Sequence, residues 1–297
     1  MAIASVRAKL NGTWYTLTYD STAAAYKATV TAPGATSYKQ SGGYYNVEIE
    51  ATNTAGTTFT TNATSVAGLR LVVKETVAPV ITIVSPASGA YVTNNKPPIV
   101  CNVVDETNGS GINLSTLTVK VDGTSIPYTT TAITNGYAAT ATPTTALTDG
   151  SHTITVDVKD NDGNAATQKT STFKLDTVPP SLNIAAPSAG LITNKAALTV
   201  QGTTNDATSS PVTVTMTLNG TDQGTVTVNS DGSFSKAVTL IEGTNAIVIT
   251  AKDAAGKTSS VTRNVTLDTT VPKLVSASIS PNPANTGASV VISVVVT

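Results

Sequence analysis

The chain is short of almost everything that catalysis and nucleic-acid binding draw on. Only 12% of its 297 residues are charged, roughly half the usual share, and its lysines and arginines form no cluster. A protein that neutralises many phosphates needs a basic patch, so no nucleic-acid partner is expected. One cysteine, Cys101, excludes an intramolecular disulfide framework. One histidine, His152, leaves no second imidazole with which to build a nucleophilic dyad or triad. Apolar runs stop well short of the ~20 residues that cross a bilayer as a helix, so membrane insertion is not expected. Glycine-rich phosphate loops, a nucleophile elbow and zinc-ligand spacings are also missing. So is a pair of carboxylates placed to work across a cleft, as glycoside hydrolysis requires. The chain reads as a non-enzyme.

What is present is strand-forming. Threonine dominates, with valine, alanine, serine and asparagine behind it, and long stretches of Leu, Glu, Lys and Arg do not occur. Branched Cβ atoms pack well on a pleated surface, so the composition predicts an all-β protein. The length predicts more than one folding unit. The first ten residues, Met1-Ala-Ile-Ala-Ser-Val-Arg-Ala-Lys-Leu10, alternate like a strand and carry Arg7 and Lys9. They do not read as a secretory signal, which predicts that Sec export is not used if Met1 is the natural start.

Internal repetition organises the rest. The joint Lys74-Glu-Thr-Val-Ala-Pro79 returns as Leu175-Asp-Thr-Val-Pro-Pro180 and as Leu267-Asp-Thr-Thr-Val-Pro272. The spacing is about that of an immunoglobulin-type sandwich. Ser85-Pro-Ala-Ser-Gly-Ala-Tyr-Val-Thr-Asn94 aligns with Ala186-Pro-Ser-Ala-Gly-Leu-Ile-Thr-Asn194. Gly150-Ser-His-Thr-Ile-Thr-Val-Asp-Val-Lys-Asp160 aligns with Gly243-Thr-Asn-Ala-Ile-Val-Ile-Thr-Ala-Lys-Asp253, each followed by a glycine turn. Ile154, Val156 and Val158 alternate with Thr155 and Asp157, the period-two signature of a half-buried strand. His152 is expected outward beside Thr153, and Cys101 inward with Ile99 and Val103.

The Asp-Thr-x-x-Pro joints, the stretch from Ser110-Gly-Ile112 to Val121-Asp-Gly123, and the Lys-Asp-x-x-Gly turns carry a family resemblance. The chain resembles the bacterial immunoglobulin-like (Big-type) repeats of bacterial surface proteins and of bacteriophage tail and virion proteins. The resemblance implies tandem immunoglobulin-like β-sandwiches in an elongated array, with semi-rigid joints because proline fixes φ and restricts its predecessor. Expected domains are 1–75, 76–176, 177–268, and an opening fragment of a further repeat at 269–297. Residues 1–75 read as the latter part of a repeat and 272–297 as opening strands. Either the chain continues into another domain, or the C-terminal strands complete the N-terminal domain of a second copy, since unpaired edges invite strand addition.

Candidate site residues follow from this layout. Alternation places Trp14 and Tyr44 on solvent faces of an aromatic-rich N-terminal domain. There they would dock on a partner or stack on glycans; otherwise they fill the core of a domain short of strands. Asp105, Asp160, Asp162, Asp176 and Asp268 lie in turns and joints. Calcium held between domains is one reading of them, and Asx-turns the other. No further cofactor is expected. The functional expectation is a non-enzymatic component of a bacteriophage or phage-tail-like particle, its N-terminal domain docked on other tail proteins and its repeats projecting toward host-surface glycans. A bacterial cell-surface adhesin or stalk is the alternative, and an accessory module of a secreted polysaccharide enzyme the third class.

Overall fold

The computed structural model describes residues 2–297, all of whose regular extended segments are β-strands. The chain divides into two compact units, Met1–Asp176 and Thr177–Thr297.

The first unit opens with a six-stranded sheet. Its order is Ala25–Lys27, Thr13–Asp20, Ile3–Leu10, Tyr45–Asn53, Thr58–Thr61, with Arg70–Leu71 also paired to Tyr45–Asn53. Alternation splits this sheet cleanly. Ala8 stands opposite Tyr15 and Ile49, and Leu10 opposite Val47, while Lys9 stands opposite Trp14 and Glu48. Period two therefore gathers the apolar set on one side and the charged set on the other. Leu10, Tyr15, Leu17, Val47, Leu69 and Leu71 border a cleft of about 310 Å³ on the apolar side. No second sheet covers it among the described residues of this unit.

A complete two-sheet sandwich follows. One sheet runs Thr124–Ser125, Ile112–Val121, Gly150–Asp160, Lys169–Leu175, Tyr91–Val92, the last pair parallel. The other runs Tyr128–Ile133, Gly136–Ala141, Ile99–Val104, Val80–Ser85. Between them lie Ile99, Cys101, Val103, Ile154, Val156, Phe173 and Leu175, all fully excluded from solvent. Cys101 is thus a core residue, and burial pushes its thiol up to about 11.

His152 departs from the expectation that it points outward. It shares parity with Ile154 and Val156, so it is buried at 6% exposure and stacks on Phe173 with ring centroids 5.3 Å apart. Nδ1 lies 2.6 Å from Asp122 Oδ2 and Nε2 lies 2.7 Å from the Thr148 carbonyl. Each ring nitrogen thus faces an oxygen where a hydrophobe would otherwise sit.

The second unit repeats the design. Ser181–Ala186, Ala197–Asn205 and Ser233–Thr239 form one sheet; Ile192–Thr193, Thr258–Leu267, Gly243–Lys252, Thr213–Leu218 and Thr221–Val226 form the other. Val200, Val214, Ile247, Ile249 and Val265 are fully buried between them. A two-stranded ribbon, Leu274–Ser280 with Val291–Val296, closes the unit. It pairs Ile279 with Ile292 and Ala277 with Val294, and every one of its residues is exposed.

One turn recurs in all three modules. Asn11-Gly12, Asp122-Gly123 and Asn219-Gly220 each take two successive positive φ values, near 50° and then near 80°. That is the tight hairpin which matches strand twist, and Asn, Asp and Gly tolerate it best.

Candidate functional site

Trp14 and Tyr44 stand at different places in the first sheet. Trp14 lies on the charged face at 37% exposure, with the Arg7 guanidinium 4.4 Å and the Lys9 ammonium 5.6 Å from its ring. Arg7 pairs with Glu50 at 2.6 Å and Lys9 with Glu48 at 3.5 Å. Stacked cations of this kind contribute ~0.5–1 kcal/mol at exposed sites. Tyr44, expected on a solvent face, is partly exposed. It precedes the strand Tyr45–Asn53, at the end of a short 3₁₀ turn, and is half-buried with Arg70 5.0 Å from its ring. Its backbone is extended, with φ −149° and ψ 157°, so it alternates with the buried Tyr45 that follows. In both cases a cation of the same chain already lies against the ring.

The five aspartates do not gather into one site. Asp268 makes an Asx-turn at the surface: Oδ1 accepts from Thr270 N–H at 3.0 Å and from its hydroxyl at 2.5 Å, and these bonds hold its carboxyl below the usual range. Asp160 is buried and spoken for. Oδ1 accepts from Gly163 and Asn164 N–H at 2.6 and 2.8 Å, and Oδ2 from the Asn164 amide at 2.7 Å. Asp162 Oδ2 accepts from the Thr36 hydroxyl at 2.5 Å and from Glu75 N–H at 3.1 Å, so it fastens the segment between the strands Ala25–Lys27 and Tyr45–Asn53, and the joint, to the sandwich. Asp176 is fully buried at the last position of its unit.

Asp105 is different. It follows the strand Ile99–Val104, is 97% buried, and its Oδ2 accepts from Gly111 N–H at 2.6 Å while Oδ1 has no donor. Beside it are two residues the sequence did not single out as ligands, Glu75 of the joint and its own neighbour Glu106. One carboxylate oxygen from each of the three lies within 4.8 Å of the others. Glu75 Oε1 accepts from Ser110 N–H, whereas Glu75 Oε2 and Glu106 Oε2 are buried with no partner. Burial is the largest influence pushing the Asp105 carboxyl up, opposed by the Gly111 bond and the Lys39 charge and reinforced by Glu75 and Asp160. Among the described residues, no lysine or arginine nitrogen lies within 4.0 Å of these three carboxylates. All-oxygen donors of this kind suit a hard cation.

Two family models match the chain. Residues 87–177 match the bacterial Ig-like domain, and residues 180–269 match domain B of glucodextranase. No curated protein matches. Among solved structures, the fibronectin(III)-like modules of Clostridium thermocellum CbhA are 18% identical, with 64% of this chain and 94% of that one covered and a TM-score of 0.40. Sidekick-1 immunoglobulin domains 1–4 are 12% identical, covering 89% and 67%, with a TM-score of 0.36. A 1.5-MDa bacterial ice-binding adhesin is 20% identical, covering 90% and 88%, with a TM-score of 0.33. The first sandwich coincides with the match to the bacterial Ig-like domain, and the second with the match to domain B of glucodextranase.

Proposed function

We propose that this chain is a non-enzymatic component of a bacteriophage or phage-tail-like particle, with residues 1–75 docking on other particle proteins and the repeats contacting the host surface. A structural or adhesive role in an extracellular or surface setting is the coarser statement, and the match of residues 87–177 to the bacterial Ig-like domain carries it. What supports the role locally is where the polar side chains are spent. Asp160 and Asp268 brace turns, Asp162 holds distant segments together, and His152 fills a core. The particle assignment rests on the N-terminal sheet, whose aromatic and charged faces differ from those of the repeats. The test is mass spectrometry on density-purified particles and on washed envelopes from the producing strain. A fixed ratio to tail proteins in particles supports the reading. Presence in envelopes alone overturns it and leaves a cell-surface adhesin.

The match of residues 180–269 favours a second reading, a module accompanying a polysaccharide-active domain. Co-purification with a glycoside-cleaving activity would support it, and particle association without such activity would count against it.

A further inference from the structure

We propose that the ribbon Leu274–Ser280 with Val291–Val296 of one copy packs on the apolar face of the N-terminal sheet of a second copy, completing a two-sheet sandwich between chains. The first sandwich shows what each surface lacks. There Val121 precedes Asp122-Gly123 and pairs with Ile154, and Val119 pairs with Val156. In the N-terminal sheet Leu10 precedes Asn11-Gly12 and pairs with Val47, and Ala8 pairs with Ile49. The positions correspond, but their surroundings do not. Val119, Val121, Ile154 and Val156 are buried beneath a second sheet. Ala8, Val47 and Ile49 are only half-buried, and Ala8 and Val47 border the open cleft.

The ribbon supplies the missing counterpart. Ser280, before Pro281, pairs with Val291 as Ser85, before Pro86, pairs with Val100. By that register Ile292 and Val294 stand where Cys101 and Val103 stand in the first sandwich. Cys101 and Val103 are wholly excluded from solvent, whereas Ile292 and Val294 are 67% and 57% exposed. Strand alternation gathers Ile292 and Val294 on one face with their partners Ile279 and Ala277, and sets Ser278, Ser280 and Ser293 on the other. Exposed apolar area of this extent marks an interaction surface. A ribbon with one apolar and one serine-bearing face is suited to cover a sheet and turn its back to water.

A second copy is the occupant because both halves of the design are carried by every chain. The sheet that lacks a partner layer and the ribbon that resembles the first two strands of such a layer belong to different units. The contact is therefore heterologous. Each copy gives its ribbon to one neighbour and accepts a ribbon from another, so assembly runs head to tail. The charged face of the sheet, with Arg7, Lys9 and Glu48, would stay in water.

The experiment is sedimentation velocity on the full chain over a wide concentration series. Species larger than a dimer should grow with concentration. Ile292→Asp on the ribbon and Ala8→Glu on the sheet each put a carboxylate without a partner into the apolar contact. Each should raise the concentration at which assembly sets in by at least about tenfold. In an equal mixture the intact sheet of the first variant should accept the intact ribbon of the second, giving a dimer and nothing larger. Ile279→Asp and Leu17→Glu take their places if either variant fails to fold. A parent chain that stays monomeric throughout, variants that assemble like the parent, or a mixture that forms no dimer would overturn the proposal.

Discussion

Asp162→Ala tests how firmly the segment around Thr36 and the joint are fastened to the first sandwich. The carboxylate accepts from the Thr36 hydroxyl at 2.5 Å and from Glu75 N–H at 3.1 Å. Thr36 is buried at 3% exposure but has a second acceptor, the Val73 carbonyl at 3.2 Å, so its hydroxyl would be redirected and not orphaned. Glu75 N–H would be left bare. A hydrogen bond to a charged group contributes ~1.5–3 kcal/mol. Half-exposure of Asp162 screens that, so the two together come to about 2 kcal/mol. For a cooperative unit of this size each kcal/mol moves Tm by ~2–4 °C, and calorimetry should show a fall of about 4–8 °C. Asp162→Asn keeps an acceptor oxygen and should recover a large part of the loss. If the alanine variant melts with the parent chain, within about one degree, the fastening role is wrong.

Other outcomes follow from single side chains. Phe173→Ala empties the centre of the first sandwich and should cost ~3–5 kcal/mol in a denaturant titration. Gly136→Ala places a Cβ 2.0 Å from the Val103 carbonyl oxygen; the strand pair must separate, and soluble yield should collapse while Gly12→Ala, with open space around it but a positive φ, loses only ~1 kcal/mol. Trp14→Ala should lower stability by only ~1 kcal/mol, read as a small midpoint shift, because the ring sits on the charged face. Cys101, its thiol raised to about 11, should resist alkylation at pH 8 until the fold opens. The same shift makes the folded state hold its proton longer than the unfolded state. The resulting stability is present below the ordinary thiol value of 9.0 and lost as pH rises from there to about 11.

Much of the architecture was legible because strands announce themselves locally. Alternation in Gly150–Asp160, the repeated joints and the Asn-Gly or Asp-Gly turns each need only neighbouring residues to be understood. His152 was misplaced although its parity with Ile154 pointed inward, because polarity outweighed position. The carboxylate cluster was only one-third legible. Asp105 stood out, but Glu75 read as a marker of the joint and Glu106 only as its neighbour in the loop. Their convergence depends on how a joint folds back over a loop some thirty residues later, and pairing at that range leaves no local trace. A usable signal was there nonetheless: an acid at the joint and another just after the second long strand occur in both repeats, as Glu75 with Asp105 and as Asp176 with Asp206.

The short parallel pairing in each sandwich has a mechanical consequence. Tyr91–Val92 lies near the entry of its module and Lys169–Leu175 at the exit, and they run side by side in the same direction. Traction applied to the two ends of the module would slide these segments past one another. Gly89 N–H to the Thr172 carbonyl at 2.7 Å, Lys174 N–H to Ala90 at 2.8 Å and Asp176 N–H to Val92 at 2.9 Å would then share the force in shear, and could not open singly as in a zipper. Ile192–Thr193 and Thr258–Leu267 repeat the device, with bonds from Gly190, Thr266 and Asp268 at 3.2, 2.8 and 2.9 Å. Rupture under tension is governed by the unfolding rate and not by equilibrium stability, so a module of modest melting temperature can still be a tough link when pulled.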